Sequence, residues 1–206
     1  MHWHNIAVAQ GLTFRRALKG HEEGHGDMSE ATADLHPTLA GETITLRPLR
    51  ADDLEALHAA ASDPLIWAQH PDPARHLRPV FEKNFFAGAL AGGAYAVFEN
   101  ATGRIVGSSR YYDWDPDKGE IAIGYTFLAR SHWGGATNGE MKRLMLDNAF
   151  RRARVVRFDI GRDNWRSRKA VEKIGARFSH EGRKEFNGVA LDYVFYTIEA
   201  SQWPCA

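Results

Sequence analysis

Glu120-Ile121-Ala122-Ile123-Gly124-Tyr125-Thr126-Phe127-Leu128, followed shortly by Trp133-Gly134-Gly135-Ala136-Thr137-Asn138-Gly139-Glu140, is the stretch on which the fold turns. Its first part is rich in β-branched and aromatic residues and reads as a strand over 120–128. Its second part breaks on Gly134 and Gly135, then offers Thr137 and Glu140 at the spacing of a capping box, which predicts a helix start. The helix expected over 138–152 carries Met141, Leu144, Met145, Ala149 and Phe150 at helical spacing, a stripe that belongs to the core. A strand follows at 154–160, so the three elements make a right-handed βαβ unit. The glycine loop then lies at the carboxyl end of a parallel strand, where open sheets bind ligands. The entrance of such a helix is an anion site, because its first N–H groups lack intrahelical partners and its dipole adds about half a positive charge. A pyrophosphate can be held there without a lysine.

Working outward, the chain reads as strand 43–49, helix 52–62 ended by Asp63-Pro64, helix 79–91, and strands 94–100 and 104–113. After the βαβ unit come helix 164–174, closed by Gly175, and strands 176–183 and 189–198. The expected fold is α/β (α+β), a mixed sheet of about seven strands flanked by helices, in one domain over 37–206. Residues 1–36 hold five histidines (His2, His4, His21, His25, His36) with little periodicity and read as a flexible extension, with Met28 as a candidate start. His21-Glu22-Glu23-Gly24-His25 matches HExxH, but Gly20, Gly24 and Gly26 disfavour the helix that zinc chemistry needs, so the expectation is a solvated tail and no metal.

Composition excludes several classes. Lys plus Arg and Asp plus Glu both total 26, so no net field favours nucleic acid or an anionic membrane. No apolar run approaches the roughly 20 residues of a membrane span. The single cysteine, Cys205, has no disulfide partner, which suits a reducing compartment, and the chain reads as cytoplasmic.

Together with Asp163-Asn164-Trp165-Arg166-Ser167-Arg168-Lys169-Ala170-Val171-Glu172-Lys173-Ile174-Gly175-Ala176, the strand and loop quoted above resemble the GNAT superfamily of acetyltransferases, in particular its RimJ/RimL-like branch. The resemblance covers about 38–204 and implies a centrally splayed sheet that admits acetyl-CoA as co-substrate. It implies that the backbone of Phe127, Leu128 and Ala129 pairs with the pantetheine arm, and that Gly134, Gly135, Ala136, Thr137, Asn138 and Gly139 hold the pyrophosphate. Asn164 matches the family position that bonds the cofactor or a water, with helix N-cap as its other reading. Ser167 matches the position beside the sulfur, where a hydroxyl can reprotonate the thiolate; its other reading is a first-turn serine. Lys173, with Arg168 and Lys169, is expected near the 3′-phosphate, against a merely solvated helix face. The family's Arg/Gln-x-x-Gly pattern is not met, since position 131 is Ser131 and Arg130 stands one residue early. Ala122 stands where this branch often has a carboxylate, so Glu120, on the same strand face, is the candidate base, with Asp113 and Tyr111 in reserve.

The activity implied is acetyl transfer to a primary amine, a protein N-terminus or a small molecule, by direct attack in a ternary complex. The alternative is a non-catalytic acyl-CoA-binding or sensing module. Trp67, Phe81, Phe85 and Phe86 either line an acceptor pocket or pack the core. The strand pair 176–183 and 189–198, with Tyr193-Val194-Phe195-Tyr196, is a candidate homodimer surface.

Overall fold

The computed structural model describes residues 36–186 and 188–204; the HExxH segment and Cys205 lie outside them. Eight strands form one sheet in the order β1-β2-β3-β4-β5-β6-β8-β7: β1 Leu39–Ala40, β2 Ile44–Pro48, β3 Tyr95–Glu99, β4 Ile105–Asp115, β5 Glu120–Leu128, β6 Val155–Gly161, β7 Arg177–Phe186 and β8 Val189–Glu199. The one strand beyond the seven expected is β1, two residues paired antiparallel to β2. Every neighbouring pair is antiparallel except β5 and β6, which are parallel as the βαβ reading requires. The helices are α1 Leu54–Ala61, α2 Arg78–Phe81 running through a π-helical stretch Glu82–Phe86 into α3 Ala87–Ala91, α4 Thr137–Ala149 and α5 Trp165–Lys173.

A core lies on each face of the sheet. Ile121, Ile123, Val156, Phe158 and Ile160 pack with Met141, Met145, Leu146 and Ala149 of α4. On the other face Phe127 packs with Leu57, Trp67, Phe81, Phe85 and Phe86. Ile121, Ile123 and Phe127 are all odd-numbered, so strict alternation would put them on one face. They are not, because β5 bulges: Gly124 pairs with Arg110 but Phe127 with Ser108, three steps on β5 against two on β4. Tyr125, at the bulge, has a φ of +52°. One inserted residue reverses the faces that follow, turning Phe127 to the α1–α3 side, and Thr126 and Leu128 to the α4 side.

The capping box is corrected by the structure. Thr137 is the first helical residue, and the cap, Ala136, makes no side-chain bond. The Glu140 carboxylate instead reaches the turn before β2, where it accepts from the Thr43 backbone N–H at 3.0 Å and from the Thr43 hydroxyl. Burial opposes the charge, but these bonds prevail and hold the carboxyl below its usual range.

Candidate functional site

The parallel pair β5–β6 is joined only at its start, Glu120 with Val155, Ile121 with Val156 and Ala122 with Arg157. Beyond these residues the strands diverge and leave a gap between 123–128 and 158–161. The closed end is tied by Arg157, whose guanidinium donates to Glu120 at 2.5 Å, Asp159 at 2.7 Å and Asp113 at 3.0 Å. Lys184 adds a second cation to Asp159 at 2.6 Å. Burial works against the Arg157 charge, but hydrogen bonds and attraction from Asp159, then Glu120, outweigh it and raise the pKa. The Glu120 carboxylate is thus engaged in an ion pair, on the order of 20 Å along the strand from Leu128. Asp113 shares that cluster. Tyr111 is buried with its hydroxyl donating to the Met145 carbonyl at 2.5 Å.

At the open end, Ala129 N–H donates to Val106 O at 2.7 Å, so Ala129 turns its backbone groups toward β4. Alternation then turns those of Leu128 into the gap. The Leu128 carbonyl there accepts from the Trp133 indole N–H at 3.0 Å. Phe127 is 5% exposed and its ring lies 5.3 Å from Trp67 and 5.4 Å from Phe85, centroid to centroid. Trp67, Phe81, Phe85 and Phe86 are all buried, as the packing alternative had it.

The glycine loop follows a 3-10 turn, Arg130–His132, at the mouth of the gap. Gly134 has a φ of +74°, a conformation other residues adopt at a cost. A Cβ placed on Gly134, Gly135 or Gly139 would meet no atom within 4 Å, so the loop presents its backbone to open space. The first helical hydrogen bond is Glu140 N–H to Ala136 O, at 2.9 Å, leaving the amides of Thr137, Asn138 and Gly139 ahead of the α4 ladder. Arg130 pairs with Asp63 at 2.6 Å, beside an open cleft of about 530 Å³ lined by Ala59, Ala60, Ser62, Asp63, Ala129, Arg130 and Ser131.

The β6 side of the gap ends at Asn164, whose Oδ1 accepts from Ser167 N–H at 3.2 Å and caps α5. Arg166 bridges the mouth: its guanidinium lies 4.1 Å from the Trp133 ring centroid and donates to Ile66 O at 2.8 Å. The structure therefore brings Asn164 and Ser167 to the gap's β6 side, opposite Leu128 and the glycine loop. Lys173 is exposed in the last turn of α5, about 9 Å along the helix from Ser167.

On the α1–α3 side, Arg75 has a nearly buried side chain among the rings of Trp67, Phe85 and Phe186, with centroids at 5.6, 5.7 and 5.7 Å. Burial, and then the Arg75 charge, push the neighbouring His70 down to about 4, so it is neutral at pH 7. Sequence reasoning quoted Trp133 and Arg166 in its motifs without giving their side chains a role, and passed over the bulge at Tyr125 and Lys142, which is 4% exposed inside the helix–sheet interface. Lys142 had a signal: it stands three, four and seven residues before Met145, Leu146 and Ala149, on the apolar stripe of α4.

A mixed sheet whose parallel pair parts beside an open glycine loop is also the fold that the comparisons return. The family model described as the acetyltransferase (GNAT) domain matches residues 43–177, and the chain belongs to that family. Among solved structures, a GCN5-related N-acetyltransferase from Brucella melitensis is 25% identical with a TM-score of 0.70, covering 82% of this chain and 81% of that one. A probable GNAT-family acetyltransferase from Chromobacterium violaceum ATCC 12472 is 20% identical with a TM-score of 0.72, covering 95% and 99%. RimL, a ribosomal alpha-N-protein acetyltransferase in complex with coenzyme A, is 16% identical with a TM-score of 0.63, covering 81% and 99%, a likeness of fold. No curated protein matches the sequence.

Proposed function

We propose that this protein transfers an acetyl group from acetyl-CoA to a primary amine, a protein N-terminus or a small molecule, by direct attack in a ternary complex. The observation that carries the reading is the gap beyond Ala122 and Arg157, with the open glycine loop at its mouth. The fit is chemical. Unbonded amides at the α4 entrance suit a pyrophosphate, and the Leu128 N–H facing the gap suits an extended amide arm. The relative RimL was solved with coenzyme A, which supports the same ligand class here. When bound, acetyl-CoA supplies an activated thioester.

The chain's own residues then have distinct tasks. Gly134 to Gly139 hold the pyrophosphate, the backbone of Phe127 to Ala129 guides the arm, and Lys173 meets the 3′-phosphate. Asn164 fixes the start of α5 and with it the Ser167 hydroxyl, which returns a proton to the departing sulfur. Proximity of amine and thioester supplies much of the acceleration. No metal is needed by this scheme, and the described residues hold no group of three or more His, Cys, Asp or Glu able to bind one.

One observation favours the second reading, a non-catalytic acyl-CoA module: the Trp133 indole occupies the Leu128 carbonyl that an arm amide would use. Thiol release from acetyl-CoA with a panel of peptide and small amines decides between them. Amine-dependent release is expected; binding without release would favour the module.

A further inference from the structure

The Lys142 ammonium position is built into the apex of the gap. Its Nζ donates to Thr126 Oγ1 at 2.8 Å on β5 and to Ser109 Oγ at 3.2 Å on β4, and lies 5.9 Å from the centroid of the Phe158 ring on β6. Phe158 is the first β6 residue past the last paired position, so the amine sits where the two strands begin to part. The bulge is what makes the contact possible, because it turns Thr126 to the α4 side of the sheet. Lys142 and Ser109 are buried while Thr126 is exposed, so the Thr126 hydroxyl is the link between the gap and the buried amine.

Among the described residues, no carboxylate bonds the Lys142 amine. From β4 the Ser109 hydroxyl meets the amine, from β5 the Thr126 hydroxyl and from β6 the Phe158 ring, while the Tyr111 hydroxyl is engaged by the Met145 carbonyl. Arg157 and Asp159 lie on the opposite face of β6, where they pair with each other. On α4 itself Glu140 is bound to Thr43, and Asp147 to Arg143 and the Trp203 indole. On α5, Glu172 accepts from the Tyr196 hydroxyl. Burial alone lowers the Lys142 pKa to about 7, which leaves a neutral amine available near neutral pH.

We propose that Lys142, acting through the Thr126 hydroxyl, takes the proton that the acceptor amine must lose before it attacks the thioester. The inference rests on the transferase reading above. The acceptor arrives as R–NH3+ and passes one proton to Thr126 Oγ1 as the Thr126 proton moves to Lys142 Nζ. The neutral amine forms its N–C bond to the thioester carbonyl carbon as the C–S bond breaks. The second amine proton passes to the Ser167 hydroxyl as Ser167 gives its own proton to the sulfur, yielding amide and free thiol, and Lys142 returns the first proton to solvent. This gives a use to a lysine on an apolar stripe, at an address where a methionine would pack without desolvation.

The test uses full-length protein and Lys142→Met, Lys142→Arg, Thr126→Val and Thr126→Ser. Wild-type turnover with the amine panel tests the transferase reading by itself. Given that turnover, kcat/KM against pH is expected to show a limb near pH 7 that Lys142→Met and Lys142→Arg remove, with about a 100-fold loss at pH 8. Thr126→Val should lose most of the same rate and Thr126→Ser should restore it. A readout independent of turnover is the urea unfolding free energy of the ligand-free protein from pH 6 to 10. Stability should rise with pH in wild type, and that rise should vanish in Lys142→Met. A Lys142→Met enzyme that keeps both the rate and the limb overturns the proposal, as does a limb that moves only with Glu120→Gln.

Discussion

The two ends of the β5–β6 pair solve opposite problems with the same neighbours. At the closed end Arg157 is ringed by Asp113, Glu120 and Asp159, and joins β4, β5 and β6 through its own side chain. Where the strands part, Lys142 has, among the described residues, two hydroxyls as hydrogen-bond partners and a ring beside it. Arg157 keeps its charge because carboxylates offset its desolvation; Lys142 loses much of its charge because nothing does. A buried cation with paired anions serves as a clasp, whereas one with neutral partners is a proton acceptor held ready at the site.

Substitutions at the two ends should therefore differ in kind. Arg157→Met strips Asp159, whose side chain is 2% exposed, of one of its two cations, and should destabilise the fold by about 3 kcal/mol in urea unfolding. An unchanged midpoint would mean that the cluster is no clasp. Lys142→Met should do the reverse. Because the folded pKa lies below the unfolded one, the unfolded chain binds the extra proton between pH 7 and about 10.4, so wild-type stability rises across that window by up to about 1.4 kcal/mol per pH unit. The methionine variant should lack this slope and be more stable than wild type at pH 6. Equal slopes would contradict a neutralised lysine.

At the mouth, Gly135→Asp should affect binding and spare the fold. A Cβ there meets nothing, yet the new carboxylate stands where a phosphate would sit. Acetyl-CoA affinity should fall at least tenfold, about 1.4 kcal/mol, with the ligand-free melting temperature unchanged. Asn164→Ala removes the α5 cap and should cost about 1 kcal/mol of stability, along with turnover through Ser167. Arg130→Ala breaks only a half-exposed pair with Asp63 and should shift stability by less than about 0.5 kcal/mol.

How far the sequence foretold these regions follows the range of the forces involved. Hydrophobic period and turn residues act locally, so the βαβ unit and the other strands were legible with small errors in their ends. β1 is too short to show a period, and Glu140 looked like a local cap because its true partner, Thr43, lies 97 residues away. The bulge was invisible for a similar reason: it appears only in the pairing of β5 with β4. The loop glycines and Asn164 could be named from the resemblance. Lys142 could be found only once the bulge had turned Thr126 toward it, although its place on the apolar stripe was in plain view.

The most direct measurement is calorimetric titration of acetyl-CoA into the full chain, with Gly135→Asp beside it and thermal melts as control. The account predicts a single site, a melting shift equivalent to about 2.7 kcal/mol at 100 times the dissociation constant, and at least tenfold weaker binding in the variant. No heat and no shift at millimolar acetyl-CoA, or equal affinity in both proteins, would contradict it.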